Sequence, residues 1–120
     1  MPNLNAALIC AQLEQIDRFL ESKRFVNESY RELLANVDDI KLISERDGTT
    51  SNNWLNAIRL ENEDAKMEFL EYTNSNGIMT RPCWKLNCDL PMYMNCLRGD
   101  LTISREAEKT IVNIPSSANL

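Results

Sequence analysis

The chain contains no histidine, so the commonest general acid/base is missing. Ser-His or Cys-His nucleophilic chemistry from this chain alone is thereby excluded. No apolar run approaches the roughly 18 residues that span a bilayer, and the N-terminus lacks the charged-then-apolar order of a signal peptide. A cytoplasmic protein with no membrane partner is expected. Basic residues are few and scattered: none cluster beyond Lys23-Arg24, and the net charge is -5 with a pI near 4.7. A nucleic-acid partner held through its phosphates is therefore not expected. Glycine is scarce, at 3 residues in 120, which leaves long stretches without a break.

What is present fits one soluble domain over residues 1–120, with 43% hydrophobic and 26% charged residues. Four cysteines, Cys10, Cys83, Cys88 and Cys96, read as reduced thiols in that compartment. Their C-x4-C-x7-C spacing, with no histidine to help, is not a usual zinc pattern, so no metal is assigned.

From Asn3 to about Val37 there is neither Gly nor Pro, and Pro2-Asn3 offers a start, so one long helix is expected. Phe19, Val26, Tyr30, Leu33 and Val37 share one side at 100° per residue, whereas Ala6 to Ala11 are apolar or small all round. About 34 helical residues would reach roughly 50 Å, against a diameter of about 35 Å for a compact chain of this length. Either the helix breaks, near Lys23-Arg24, or something outside the chain covers its apolar start, or it bends over its own core. Next come short strands over Ile40–Ser44 and Trp54–Leu60, the second apolar on both faces and so central. A helix capped by Asn62 then buries Ala65, Phe69 and Leu70 and stops at Gly77. An extended piece from Ile78 to Thr80, a long loop, a helix from Thr102 or Ser104, and a strand from Ile111 to Ile114 complete the order. The predicted class is α+β: a long N-terminal helix and a small, mostly antiparallel sheet with helices on one face. The closing "PSSANL" is expected to fray.

A family resemblance adds to this. "MPNLNAALICAQLEQIDRFLESKR", with Met1, Asn5-Ala6-Ala7 and Gln12-Leu13, is similar to the helix that follows the cofactor domain in DegT-type nucleotide-sugar aminotransferases. "SNNWLNAI", "NGIMTRPCW", "LPMYMNCLRGDL" and "VNIPSS" resemble, in order, the tail of the subgroup that aminates UDP- or GDP-4-keto sugars. A histidine common in that subgroup is replaced here by Asn87-Cys88. The resemblance implies the C-terminal small domain of a fold-type-I enzyme that uses pyridoxal phosphate (PLP). The lysine that carries the cofactor belongs to the family's large domain, and none of Lys23, Lys41, Lys66, Lys85 or Lys109 matches it. The expectation is thus no catalytic residue and no cofactor in this chain, with PLP in the full-length family.

In such a parent, "MTRPCW" faces the cleft between domains. Arg81 would pair with a substrate phosphate or carboxylate, and Trp84 would pack on the sugar or base, with Tyr93 a further substrate-binding candidate. The alternative for Trp84 is a place in the core beside Trp54, and for Arg81 a bond to loop carbonyls or a surface carboxylate. Leu4, Leu8, Ile9 and Leu13 are the candidate oligomer interface, in a homodimer that pairs the N-terminal helices. Three functions are open: the C-terminal domain of a nucleotide-sugar aminotransferase, a freestanding homodimeric interaction module, or a nucleotide-sugar binder without catalysis.

Overall fold

The computed structural model describes residues 2–118. The centre of the fold follows from two apolar strands that repeat with period two. In β2 (Asn56–Leu60) and β4 (Ile111–Ile114), Ile58, Leu60, Val112 and Ile114 point to one side and make up the buried hydrophobic core. β1 (Ile40–Leu42) pairs with β2, and β3 (Arg81–Pro82) with β4, giving a four-stranded sheet of order β1-β2-β4-β3. Every pairing is antiparallel. The register sets Pro82, Val112, Ile58 and Leu42 in one row across the core face. Arg81, Asn113 and Ala57 form the neighbouring row on the opposite face.

Helices cover only the core face. α2 (Ile16–Leu34) lays Tyr30 and Leu34 against it, and α3 (Glu63–Ser75) lays Ala65, Phe69 and Leu70. Asn62 caps α3 by accepting the Ala65 N–H at 2.9 Å. At the other end Gly77, with φ +76°, turns the chain so that the Ile78 N–H returns to the Thr73 carbonyl at 2.9 Å. A bond between the Thr73 and Thr80 hydroxyls, 2.6 Å and buried, then aims the chain into β3. α4 (Thr102–Thr110) runs directly into β4. Two 3-10 turns, Asn87–Asp89 and Pro91–Tyr93, shape the loop between β3 and α4.

Four expectations need correction. The N-terminal segment is two helices, α1 (Asn3–Leu13) and α2, and the break lies at Glu14-Gln15, well before Lys23-Arg24. There the Gln15 N–H bonds the Gln12 carbonyl at 3.2 Å instead of continuing the ladder. The Ala11 carbonyl so released accepts the Gln15 side-chain amide at 3.3 Å. Asn3 does not cap α1; Pro2 holds that position, with no side-chain bond. Leu33 lies off the stripe that Tyr30 and Leu34 lay against the sheet, and Val37 lies beyond the end of α2, so both are exposed. The extended piece after Gly77 pairs only at Arg81-Pro82: in that register Met79 and Ile78 would face Pro115 and Ser116, past the end of β4, and the Thr80 carbonyl and hydroxyl both accept from the Asn74 side-chain amide.

Within the expected fray, Pro115 and Ser116 are instead held: the Tyr30 hydroxyl donates to the Pro115 carbonyl at 3.0 Å and Lys23 Nζ to the Ser116 carbonyl at 2.7 Å. The end of that segment, and Met1, fall outside the described residues.

No residue of α1 is buried. Leu4, Leu8, Ile9 and Leu13 all stand in solvent, neither bent over the core nor shielded by another element of the chain. The chain exposes 9455 Å², roughly 2,800 Å² more than the about 6,600 Å² of a folded monomer of its mass. Its radius of gyration, 17.5 Å, exceeds the about 14 Å of a compact domain of 120 residues.

Candidate functional site: the cleft at Trp54, Arg81 and Trp84

At the β3–β4 edge the uncovered sheet face meets two segments that leave the sheet. The first is "SNN", Ser51 to Asn53, whose side chains build a loop out of local bonds. The Asn53 N–H donates to Ser51 Oγ and the Trp54 N–H to Asn52 Oδ1, both at 3.0 Å. Asn53 is buried with φ +50°, a left-handed conformation that asparagine tolerates better than most residues. Lys23 of α2 fastens this loop: its ammonium donates to the carbonyls of Asn53 at 3.4 Å, Trp54 at 3.3 Å and Ser116 at 2.7 Å. The Asn56 N–H reaches Ser116 Oγ at 2.7 Å, so the start of β2 and the segment after β4 are joined directly. The Asn56 side chain accepts from Asn27 Nδ2 at 2.8 Å, tying the same corner to α2.

The second segment follows β3, where the Cys83 N–H bonds the Ile111 carbonyl at 3.1 Å and sets down Trp84. Trp54 and Trp84 end as neighbours, with ring centroids 6.4 Å apart and planes 30° from parallel. They are 67% and 63% exposed, so the placement of Trp84 in the core beside Trp54 is corrected: the pair forms, but on the surface. The reason is that the core face of β2 and β4 is already filled from α2 and α3, and both tryptophans leave the sheet from its ends.

Together with Met79, Arg81, Asn113 and Ser117, the two rings line a cavity of about 350 Å³, within the range of small-molecule sites. The Arg81 guanidinium donates to Met79 Sδ at 3.7 Å, and among the described residues no carboxylate pairs with it. No acidic side chain lines the cavity. In a chain of net charge -5, that leaves a local site suited to an anion beside an aromatic surface.

Tyr93 lies elsewhere, with Leu86, Cys88, Cys96 and Arg98 around a separate cavity of about 360 Å³. Next to it the Arg105 fork grips Asp89, Nη1 to Oδ2 at 2.9 Å and Nη2 to Oδ1 at 3.1 Å, and holds that carboxyl below the usual carboxylate range. Trp54 is the cleft residue that sequence reasoning assigned to a strand. The signal that could have found it was the run Ser51-Asn52-Asn53, turn chemistry directly before the aromatic.

The whole of this architecture sits inside one family match: residues 1–120 fit the DegT/DnrJ/EryC1/StrS aminotransferase family. The chain belongs to that family. GDP-perosamine synthase of Vibrio cholerae is 34% identical over 122 residues, covering 97% of this chain and 32% of that protein. This DegT-family chain thus spans about a third of the length of the curated relatives it matches. Two solved structures carry the same fold. AtS13 of Actinomadura melliaura superposes with TM-score 0.84 at 22% identity, over 98% of this chain and 30% of that one. PseC of Helicobacter pylori, an aminotransferase involved in the biosynthesis of pseudoaminic acid, gives TM-score 0.82 at 17% identity, over 92% and 31%.

The family depends on PLP, and a PLP enzyme needs a lysine amine free to meet its cofactor. Three of the five lysines are engaged elsewhere. Lys23 is committed to three carbonyls, Lys66 to the Glu108 carbonyl and Lys109 to Glu63, and no lysine lines the cleft. Among the described residues there is no group of three metal-ligating side chains, and no helix is long and apolar enough to cross a membrane.

Proposed function

We propose that this chain works as the small C-terminal domain of a PLP-dependent nucleotide-sugar aminotransferase. It supplies substrate contacts from the Arg81–Trp84 cleft and packing surface from α1, and it does not transfer amino groups by itself. The observation that carries the reading is the bare apolar surface. A domain that evolved to stand alone does not leave a helix apolar on every side, together with two adjacent tryptophans, in water. The family match, over about a third of each relative's length, supports the same reading. Arg81 has the geometry for a pyrophosphate, and the aromatic wall has the chemistry for a sugar face or a base.

Two measurements test it. With PLP, an amino donor and a 4-keto nucleotide sugar, the chain alone gives no aminated product; turnover would overturn the proposal. Calorimetry with UDP- and GDP-sugars shows binding that Arg81→Ala weakens; binding unchanged by that substitution would return Arg81 to a structural role.

A second reading is favoured by α1 specifically. Leu4, Leu8, Ile9 and Leu13 would pair with the same residues of a second copy in a two-fold homodimer, whether or not a nucleotide sugar binds. Sedimentation as a monomer throughout the micromolar range would exclude it.

A further inference from the structure

We propose that Trp54 and Trp84 together form a stacking surface for a planar heteroaromatic ring, the base of a nucleotide whose phosphates Arg81 receives. The proposal rests on the reading of the cleft as a nucleotide-sugar site and deepens it, by assigning the base to a residue pair rather than to Trp84 alone.

The two rings do little for each other. At 6.4 Å between centroids they stand at the loose end of aromatic pairing, and most of both indoles meets solvent. Their backbones, by contrast, are fixed. Trp54 follows a buried asparagine held at φ +50°, and its carbonyl is one of three gripped by Lys23. Non-glycine residues kept in that region are uncommon and collect at binding sites, where the surrounding structure holds them in place. Trp84 follows Cys83, whose N–H is bonded to Ile111 at the start of β4. Rings left bare on anchored backbones are preorganised for a ligand, because little freedom remains to be lost on binding.

The rest of the lining says what kind of ligand. A sugar ring needs several directed polar partners, and the cleft has few: Arg81, Asn113 and Ser117, with Ser116 already engaged by Lys23 and Asn56. One cation, no acid and two large π faces instead match a planar ring joined to an anion. Both faces are indifferent to which base they carry, so the pair provides affinity, with the choice between purine and pyrimidine made elsewhere.

The test compares GDP and UDP with inorganic pyrophosphate on the intact chain, by calorimetry and by tryptophan emission. GDP and UDP should quench the emission and bind at least tenfold more tightly than pyrophosphate. Trp54→Leu should weaken GDP by about tenfold, within the range that base stacking contributes, and leave pyrophosphate unchanged, while Trp54→Phe keeps most of the affinity. An unchanged urea midpoint for both variants confirms that folding is not what moved. Pyrophosphate binding as tightly as GDP, or Trp54→Leu binding GDP like the native chain, overturns the stacking surface. If nucleotide sugars still bind in an Arg81-dependent way in that case, the cleft keeps its function and only the role of the tryptophans falls. Loss of all nucleotide binding, with or without Trp54, overturns both.

Discussion

Replacing Lys23 with methionine keeps the aliphatic stem and removes the ammonium that joins α2 to the Asn53-Trp54 loop and to Ser116. A net hydrogen bond to a charged donor contributes about 1.5–3 kcal/mol, but the three are unequal. The bond to Ser116, at 2.7 Å, is short, whereas those to Trp54 and Asn53, at 3.3 and 3.4 Å, lie beyond the usual range. The site is only half-buried, so water can take up part of what the carbonyls lose. The total expected is therefore about 2 kcal/mol, nearer one good charged bond than three. With a urea slope of about 2 kcal/mol per molar, the midpoint should fall by about 1 M without a change in slope. Trp54 emission should also move, since its loop loses one anchor. A midpoint shift under about 0.2 M would be roughly a fifth of that expected, and would show that the carbonyls are equally well served by water. Lys23→Arg should recover only part of the loss, because a planar fork cannot converge on three carbonyls as an ammonium does.

Ile58→Val, one methylene from a core of four buried hydrophobic residues, should cost about 1 kcal/mol, and Ile58→Ala about 2–5 kcal/mol; thermal melts of the two variants check the order. In the proposed α1-paired dimer, Ile9→Glu should drive sedimentation toward monomer while leaving the circular dichroism of the sheet unchanged. The hydrogen bond from Arg105 lowers the Asp89 pKa, so the contribution of this pair is full above the ordinary carboxylate range and is lost as pH falls through the depressed value. Arg105→Gln should accordingly raise the NMR titration midpoint of Asp89, and the variant should differ from native at neutral pH but not in strong acid. Tyr30 is the opposite case: burial raises its phenol pKa, so its bond to Pro115 is complete below the ordinary tyrosine value and lost as pH rises through the raised one. Tyr30→Phe should remove that alkaline step from a stability-pH curve.

The α+β class, the central place of the Trp54–Leu60 region, the Asn62 cap, the Gly77 stop and the Ile111–Ile114 strand were legible because each rests on local chemistry. Period, capping oxygen and positive φ are all written within a few residues. The break at Glu14-Gln15 was not, since it has neither Gly nor Pro. It becomes visible only as the point beyond which a residue can reach the sheet, and that depends on tertiary position. The cleft was half legible. Arg81 and Trp84 stand out by residue type beside a proline, but Trp54 joins them through a strand crossing the sheet and a lysine 31 residues away, and neither is a local signal. Tyr93 shares its loop with Trp84 in sequence yet lines a different cavity, because the two 3-10 turns carry it around toward Arg105.

The register of the sheet also governs when the protein can fold. β2 finds its inner partner only in β4, so Asn56 must wait for Ile114 before the pair is complete. At about 5–20 residues per second, synthesis from Asn56 to Ile114 takes roughly 3–12 s. Throughout that time β2 has β1 on one side and an unpaired row of N–H and C=O groups on the other, with Ile58 and Leu60 not yet covered by Val112 and Ile114. The nascent chain therefore spends seconds as an open β-edge beside an apolar helix. Its yield in a cell should depend on chaperone capacity and on translation speed between α3 and β4 more than on the final stability of the sheet.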